Sequence, residues 1–309
     1  MDSSTPAPVL RPDARPDRPT GAAGAPSRWI QQWHTLRYVV GENPLSILAA
    51  ALFVLLVLLA LIGPWIAPYD PLASHVGPPL SPPNGSHWFG TDALGRDILS
   101  RVIVATRLDM GIAVAAVSLS FVVGGLMGAF AGYFGGWFDR TSTRVSDTIM
   151  AFPLFVLAMG IVAALGNTVA NIVIATAIIN LPFYLRVARA EVKVRRDAGF
   201  VEAARLAGNS ELSVLFRHLI PNVMPPMMVQ ISLNMGWAIL NAAGLSFIGL
   251  GVRPPEAEWG IMVAEGAQYI VSGEWWIALF PGLALMLAVF CFNLLGDSLR
   301  DLIDPRRRT

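Results

Sequence analysis

The chain has 309 residues, 54% of them apolar and only 14% charged, with a mean hydropathy of +0.57 and a formal net charge of +1. Such a balance exceeds what a soluble core requires and excludes an ordinary soluble domain, while the near-neutral charge gives no reason to expect nucleic acid as a partner. Every backbone polar group inside a bilayer must be satisfied within its own segment, so the expected fold class is an all-α integral membrane protein.

Residues 1–28 are rich in Pro, Ala and Arg and read as a disordered N-terminal tail. No cleavable signal peptide is expected, because the apolar run starts too far from Met1 and is too long. Over 29–43, Trp29, Trp33, Leu36 and Val40 recur at helical spacing, which fits a helix lying in the membrane interface or a plain linker. A charge-free run from Pro44 to Tyr69 supplies the first transmembrane anchor, 44–67. Residues 68–109 form an outer loop and surface helix, with Ile98, Leu99, Val102, Ile103 and Thr106 on one face and an Asp97–Arg101 pair on the other.

A core domain, 110–298, is expected to hold five more spans. The second, Met110 to Phe138, carries Gly124, Gly125, Gly128 and Gly132, small residues that let helices approach closely in lipid. The next charge-free run, Thr148 to Leu185, would be roughly 57 Å long as a single helix, so it is read as a hairpin turning at Gly166-Asn167-Thr168 and giving spans three and four. A fifth span lies within Val223 to Ile248, after Pro221, Pro225 and Pro226, and a sixth runs from Trp276 to Leu295, leaving 299–309 as a tail. Six spans put both termini on one side. Eighteen of the 22 Lys and Arg residues fall on that side and only Arg96, Arg101, Arg107 and Arg253 on the other, so the termini are expected to be cytoplasmic.

A charged island, 199–221, interrupts the apolar segments on the cytoplasmic side. Asp197 is placed to cap a short helix containing Glu202, Ala203 and Ala204, and Gly208 to end it in the left-handed conformation. Ser210 is placed to cap a second helix that runs until Pro221. Small Ala203, Ala204 and Ala207 leave room for another protein to dock, with Phe200, Val201, Leu206 and Leu212 as apolar anchors; an amphipathic loop solvated by its charges is the competing reading.

Little else carries chemistry. Lys193, the one lysine, is flanked by valines, so there is no Walker A phosphate loop. His34, His75, His87 and His218 are never spaced as ligands on one helix, and no Gly-x-Ser-x-Gly elbow occurs. The spans hold almost no ionisable residue of the kind that ion-coupled carriers place there. Energy for any transport must therefore come from a partner. Cys291, the sole cysteine, has no partner in the chain for a disulfide.

Glu202-Ala203-Ala204 followed by Gly208 and Leu219-Ile220-Pro221 resembles the EAA loop of ABC importer permeases. In its fuller form, Phe200-Val201-Glu202-Ala203-Ala204 with Phe216 through Asn222, it is similar to the dipeptide/oligopeptide/nickel branch. The run His87 to Arg101, the segment Phe247 to Pro255 with Glu258-Trp259-Gly260, and the close Gly296 to Arg306 extend the resemblance across nearly the whole chain. Two departures occur: Ala105 stands where the family commonly has Gly, and Asp109 where it commonly has Ser, so an acid at the head of the second span is expected to alter the outer vestibule.

The resemblance implies the type I ABC importer permease fold, six transmembrane helices with a cytoplasmic coupling helix. Coupling would rest on Phe200, Val201, Glu202, Ala203, Ala204, Arg205, Gly208 and Leu212. The implied partners are a homologous B-type permease subunit, two ATP-binding subunits that hold ATP and Mg, and an extracytoplasmic substrate-binding protein; the chain itself would bind no cofactor or metal and catalyse no reaction. Arg253, Glu256, Glu258 and Trp259 are candidates for docking the binding protein, against the plainer reading of an acidic solvated rim. The implied cargo is a short peptide, with nickel chelates, glutathione or another small solute as alternatives. A channel or carrier independent of ATP is the reading from another class, and co-purification with an ATPase separates the two.

Overall fold

The computed structural model describes residues 44–303, so the expected tail 1–28, the interfacial helix 29–43 and the final residues 304–309 lie outside the described residues. Helix α1 (Pro44–Ile66) leaves Leu48, Leu55, Leu58 and Leu61 exposed, as a helix facing lipid does. Helix α2 (Ile98–Phe134) is about 55 Å long, since 37 residues rise about 1.5 Å each. Here the structure corrects the sequence reading: the surface helix and the second span are one continuous helix. Asp97 starts it as N-cap, its carboxylate accepting from the backbone N–H of Ser100, and Gly135 stops it at φ 66°.

The third span also departs from expectation. Helices α3 (Gly136–Ala151) and α4 (Leu154–Leu165) meet at a 94° bend. Pro153 has no N–H and disfavours the helical conformation in the residue before it, and Phe152 is extended at φ −88°, ψ 148°. Residues 148–151 thus belong to α3 rather than to a straight span. The expected turn at Gly166-Asn167-Thr168 is present, with Gly166 at φ 95° and Thr168 accepting from the N–H of Asn171 to start α5 (Val169–Arg195).

Helices α2 and α5 form the tightest pair. A Cβ on Gly124, Gly128 or Gly132 would collide with the carbonyl oxygens of Leu181, Leu185 and Arg189 respectively. Both series rise by four, so the two helices run in the same direction. The chain leaving α2 must therefore cross back before α5 begins, and the bent pair α3–α4 makes that crossing. Among the described residues, five helices are long and apolar enough to span a membrane on their own, and the bent pair counted as one span makes six.

Helix α6 (Gly199–Leu206) leads to α7 (Glu211–Phe247), which passes through a wide π-helical stretch, Val214–Leu219, where the Ile220 N–H bonds the Leu215 carbonyl five residues back. Contrary to expectation, the helix does not wait for the prolines: Pro221, Pro225 and Pro226 all lie within it, as neighbouring helices in a membrane permit. Helix α8 (Trp259–Ala267), capped by Glu258, was not foreseen. Helix α9 (Trp276–Ile303) absorbs the first residues of the expected C-terminal tail. It returns alongside α1, with Ser46 Oγ 3.0 Å from Ser298 Oγ and the Phe53 and Phe292 rings 6.0 Å apart. The first and last described helices thus begin and end on one face, here the terminal face; the opposite one is the far face.

Candidate functional site

On the terminal face α6 turns one side inward and one outward. Val201 is fully buried and Ala204 nearly so, whereas Glu202, Ala203 and Ala207 are exposed and Leu206 is 89% exposed. Phe200 and Leu212 are also exposed. Ala198, not Asp197, is the N-cap, and it makes no side-chain capping bond. The carboxylate of Asp197 instead accepts from Arg196. Gly208 takes the expected left-handed conformation at φ 82°, and Ser210 caps the next turn by accepting from the N–H of Ser213 at 3.3 Å. The Asn209 side chain closes the turn by donating to the Ala204 carbonyl at 2.9 Å.

A polar clamp fixes this hairpin to the end of α2. Arg205 donates to the Tyr133 hydroxyl at 3.1 Å, Tyr133 donates to the Glu211 carboxylate, and Arg205 Nε lies 3.5 Å from Glu211. The guanidinium also sits 5.6 Å from the centre of the Tyr133 ring. Beside it, Arg189 grips Asp139 and Arg186 reaches Asp147 at 2.7 Å, tying α3 to α5. The result is a short helix held from behind with its outer face uncovered. Exposed apolar side chains of this kind are found where a protein meets another protein or a membrane.

On the far face the polar groups turn inward. His87 Nδ1 lies 2.9 Å from Asp97, whose other oxygen accepts from Ser100. Asp92 binds Arg96, and Arg96 reaches Glu265 at 3.1 Å. Arg101, 1% exposed, stands 3.8 Å from Glu265 and 3.9 Å from Asp92 and donates to the Pro71 carbonyl at 3.1 Å. The expected Asp97–Arg101 pair is not formed, because Asp97 is consumed by His87 and the helix start. Asp109 and Glu258 are buried within hydrogen-bonding reach of one another, each with one oxygen lacking a partner; Asp109 accepts from the Trp259 N–H at 3.1 Å and Glu258 from the Ile261 N–H at 2.7 Å. Burial pushes the Glu258 carboxyl above the usual carboxylate range.

The family model described as binding-protein-dependent transport system inner membrane component matches residues 124–309. The chain belongs to this family. A second model, the N-terminal TM domain of oligopeptide transport permease C, matches this permease over residues 27–83. A probable D,D-dipeptide transport system permease protein of Escherichia coli (strain K12) is 40% identical over 94% of this chain and 95% of its own length. A dipeptide transport system permease protein of Alkalihalophilus pseudofirmus is 36% identical over 98% of both chains, and a glutathione transport system permease protein of Escherichia coli is 40% identical over 90% of both. The permease accordingly has the type I ABC importer permease fold and is a multi-pass membrane protein.

Two groups of expected site residues are sorted by burial in this permease. Phe200, Glu202, Ala203, Leu206, Gly208 and Leu212 lie on the open side of the α6 hairpin, whereas Val201 and Ala204 face the protein and offer no anchor or docking room, because they pack α6 onto the bundle. Arg253 and Glu256 are exposed, but Glu258 and Trp259, at 0% and 1% exposure, present nothing to a binding protein. Trp259 instead donates from its indole to the Val102 carbonyl at 3.1 Å. Asp109 faces this buried corner rather than an outer vestibule. Sequence reasoning missed Tyr133 and Glu211; Tyr133 lies 72 positions before the Arg205 it binds.

Proposed function

We propose that this permease moves short peptides inward across the cytoplasmic membrane as one half of a heterodimeric pathway, its other half a homologous B-type permease. Two ATP-binding subunits, one of them seated on α6, hold the ATP and Mg and do the hydrolysis; the permease itself catalyses no reaction. An extracytoplasmic binding protein delivers the cargo to the far face. The terminal face is cytoplasmic in this reading, in line with the concentration of Lys and Arg in its loops.

The observation that carries the proposal is the state of Leu206: 89% exposed on a helix whose back is fixed by Arg205, Tyr133 and Glu211. Movement of a bound ATPase would pass into the bundle along two stiff routes, through Tyr133 into α2 and through Glu211 into α7. Those helices would then shift between inward and outward access. A channel or carrier independent of ATP leaves the uncovered face of α6 without a purpose. For the cargo, the named relatives carry dipeptides, D,D-dipeptides and glutathione, itself a tripeptide, and the shared chemistry is a short peptide.

Gly208→Val tests the coupling reading. A β-branched residue is strained at φ 82°, and no heavy atom lies within 4 Å of the position where a Cβ would sit, so the effect is confined to the turn. Uptake of a labelled dipeptide by cells carrying the whole importer should be abolished while the amount of permease in the membrane persists. Unimpaired uptake overturns the assignment.

A further inference from the structure

The charges of the far face divide into two kinds. Asp92, Arg96, Arg101 and Glu265 are bound to one another, and Asp97 to His87. Arg107 and Glu256 are not: neither forms an ion pair among the described residues, and both are exposed. Yet both line one cleft of about 470 Å³, set between α2, the first turns of α5 and the segment that leads into α8. That volume lies in the range of pockets that take small molecules. Every other side chain lining the cleft is apolar, Leu108, Ile112, Val169 and Val173 among them. A guanidinium and a carboxylate from separate elements therefore face one apolar space, neither with an ion-pair partner among the described residues.

We propose that this cleft seats a short zwitterionic peptide as it enters the pathway, the terminal carboxylate on Arg107 and the terminal ammonium on Glu256. The assignment rests on the peptide-transport reading above and names the permease's own recognition groups. Chemistry selects this ligand class. A free peptide carries one charge of each sign at its ends and variable, often apolar, side chains between, and the cleft offers one group for each charge and apolar walls for the rest. A guanidinium binds a carboxylate through two parallel hydrogen bonds, which fixes the direction in which the peptide enters. Solutes of a single charge sign leave one of the two groups unpaired. From the cleft, the exposed face of α2 continues through Gly111, Ala115 and Ser118, small residues that leave room for backbone to pass.

The test uses the whole importer, permease with its partner subunits and binding protein, reconstituted in vesicles and driven by ATP. Probes are a labelled dipeptide, its C-terminal amide and its N-acetyl derivative, each at a concentration that saturates the binding protein. Arg107→Gln should lower uptake of the free dipeptide about tenfold or more, the size of a lost charged hydrogen bond, and leave uptake of the amide unchanged. Glu256→Gln should do the same for the free dipeptide and leave the N-acetyl derivative unchanged. Arg107→Lys should recover part of the loss, and the unaffected derivative in each variant shows that the protein has folded and couples to ATP. Wild-type uptake of the free dipeptide by both glutamine variants, or an equal fall for all three probes, overturns the cleft assignment and leaves the transport reading standing. A wild-type importer that carries none of the three peptides overturns both.

Discussion

The loop before α2 and the loop between α5 and α7 are both polar, both dense in motif residues, and opposite in construction. In the first, His87, Asp92, Arg96, Asp97 and Arg101 are 5% exposed or less and bind each other. In the second, Arg205 and the exposed Glu211 are tied to the buried Tyr133 of α2, while Phe200, Leu206 and Leu212 are left in the open. Charge buried and paired against itself fastens the fold; apolar surface held out on a braced helix awaits another chain. A motif in sequence does not say which of these it builds, and the direction in which its side chains point does.

The largest effect should come from breaking the fastener. Arg101→Met removes the cation facing Asp92 and Glu265 and leaves those carboxylates with Arg96 alone. A buried charge left with no partner costs about 3–5 kcal/mol; here Arg96 still compensates both carboxylates, so the loss should stay below that figure while thermal unfolding of the purified permease begins at lower temperature. An unchanged melting curve would mean that the far-face network does not brace the fold, and the contrast drawn above would fail at its first member.

Much of the membrane architecture was legible because charge-free length is a direct consequence of bilayer thickness. The hairpin at Gly166-Asn167-Thr168 and the close approach of α2 through Gly124, Gly128 and Gly132 were legible for another reason: each follows from residues local in the chain. The boundaries were not. Asp97 starts a helix twelve residues before the apolar run of the second span, which hydropathy cannot register, and the Phe152-Pro153 break was hidden inside a run read for its length alone. At the α6 hairpin the spacing of Val201 and Ala204 places them on one side of α6, but which side faces inward depends on packing against the bundle. Tyr133, 72 residues before Arg205, left no local trace. Nor did the cleft, whose two charges come from separate elements.

A middle-sized effect should come from loosening the brace without uncovering anything. Tyr133→Phe keeps the ring under Arg205 and deletes the hydroxyl that accepts from Arg205 and donates to Glu211. The cost is about 0.5–1.5 kcal/mol, that of an ordinary hydrogen bond. Hydrogen exchange should quicken over residues 199–213 and stay unchanged over the far-face loop. ATP hydrolysis should then proceed with less dipeptide moved per ATP, since a slack coupling helix absorbs part of the stroke. Uniform protection across both loops would remove the clamp from the coupling route.

The smallest effect on stability should be the most informative for function. Leu206 has 89% of its surface outside the chain, so Leu206→Ser removes almost no buried area and should change stability by no more than about 0.5 kcal/mol. Dipeptide uptake by the assembled importer should nonetheless fall steeply, because a leucine that packs into a partner loses there what it never had in the free permease. The same substitution at Val201, buried in the bundle, should lower the melting temperature as well. The two positions sit five residues apart on one short helix, so a difference between them isolates direction from location. If Leu206→Ser and Val201→Ser destabilise alike, α6 has no outward side, and the handle is only another piece of the fold.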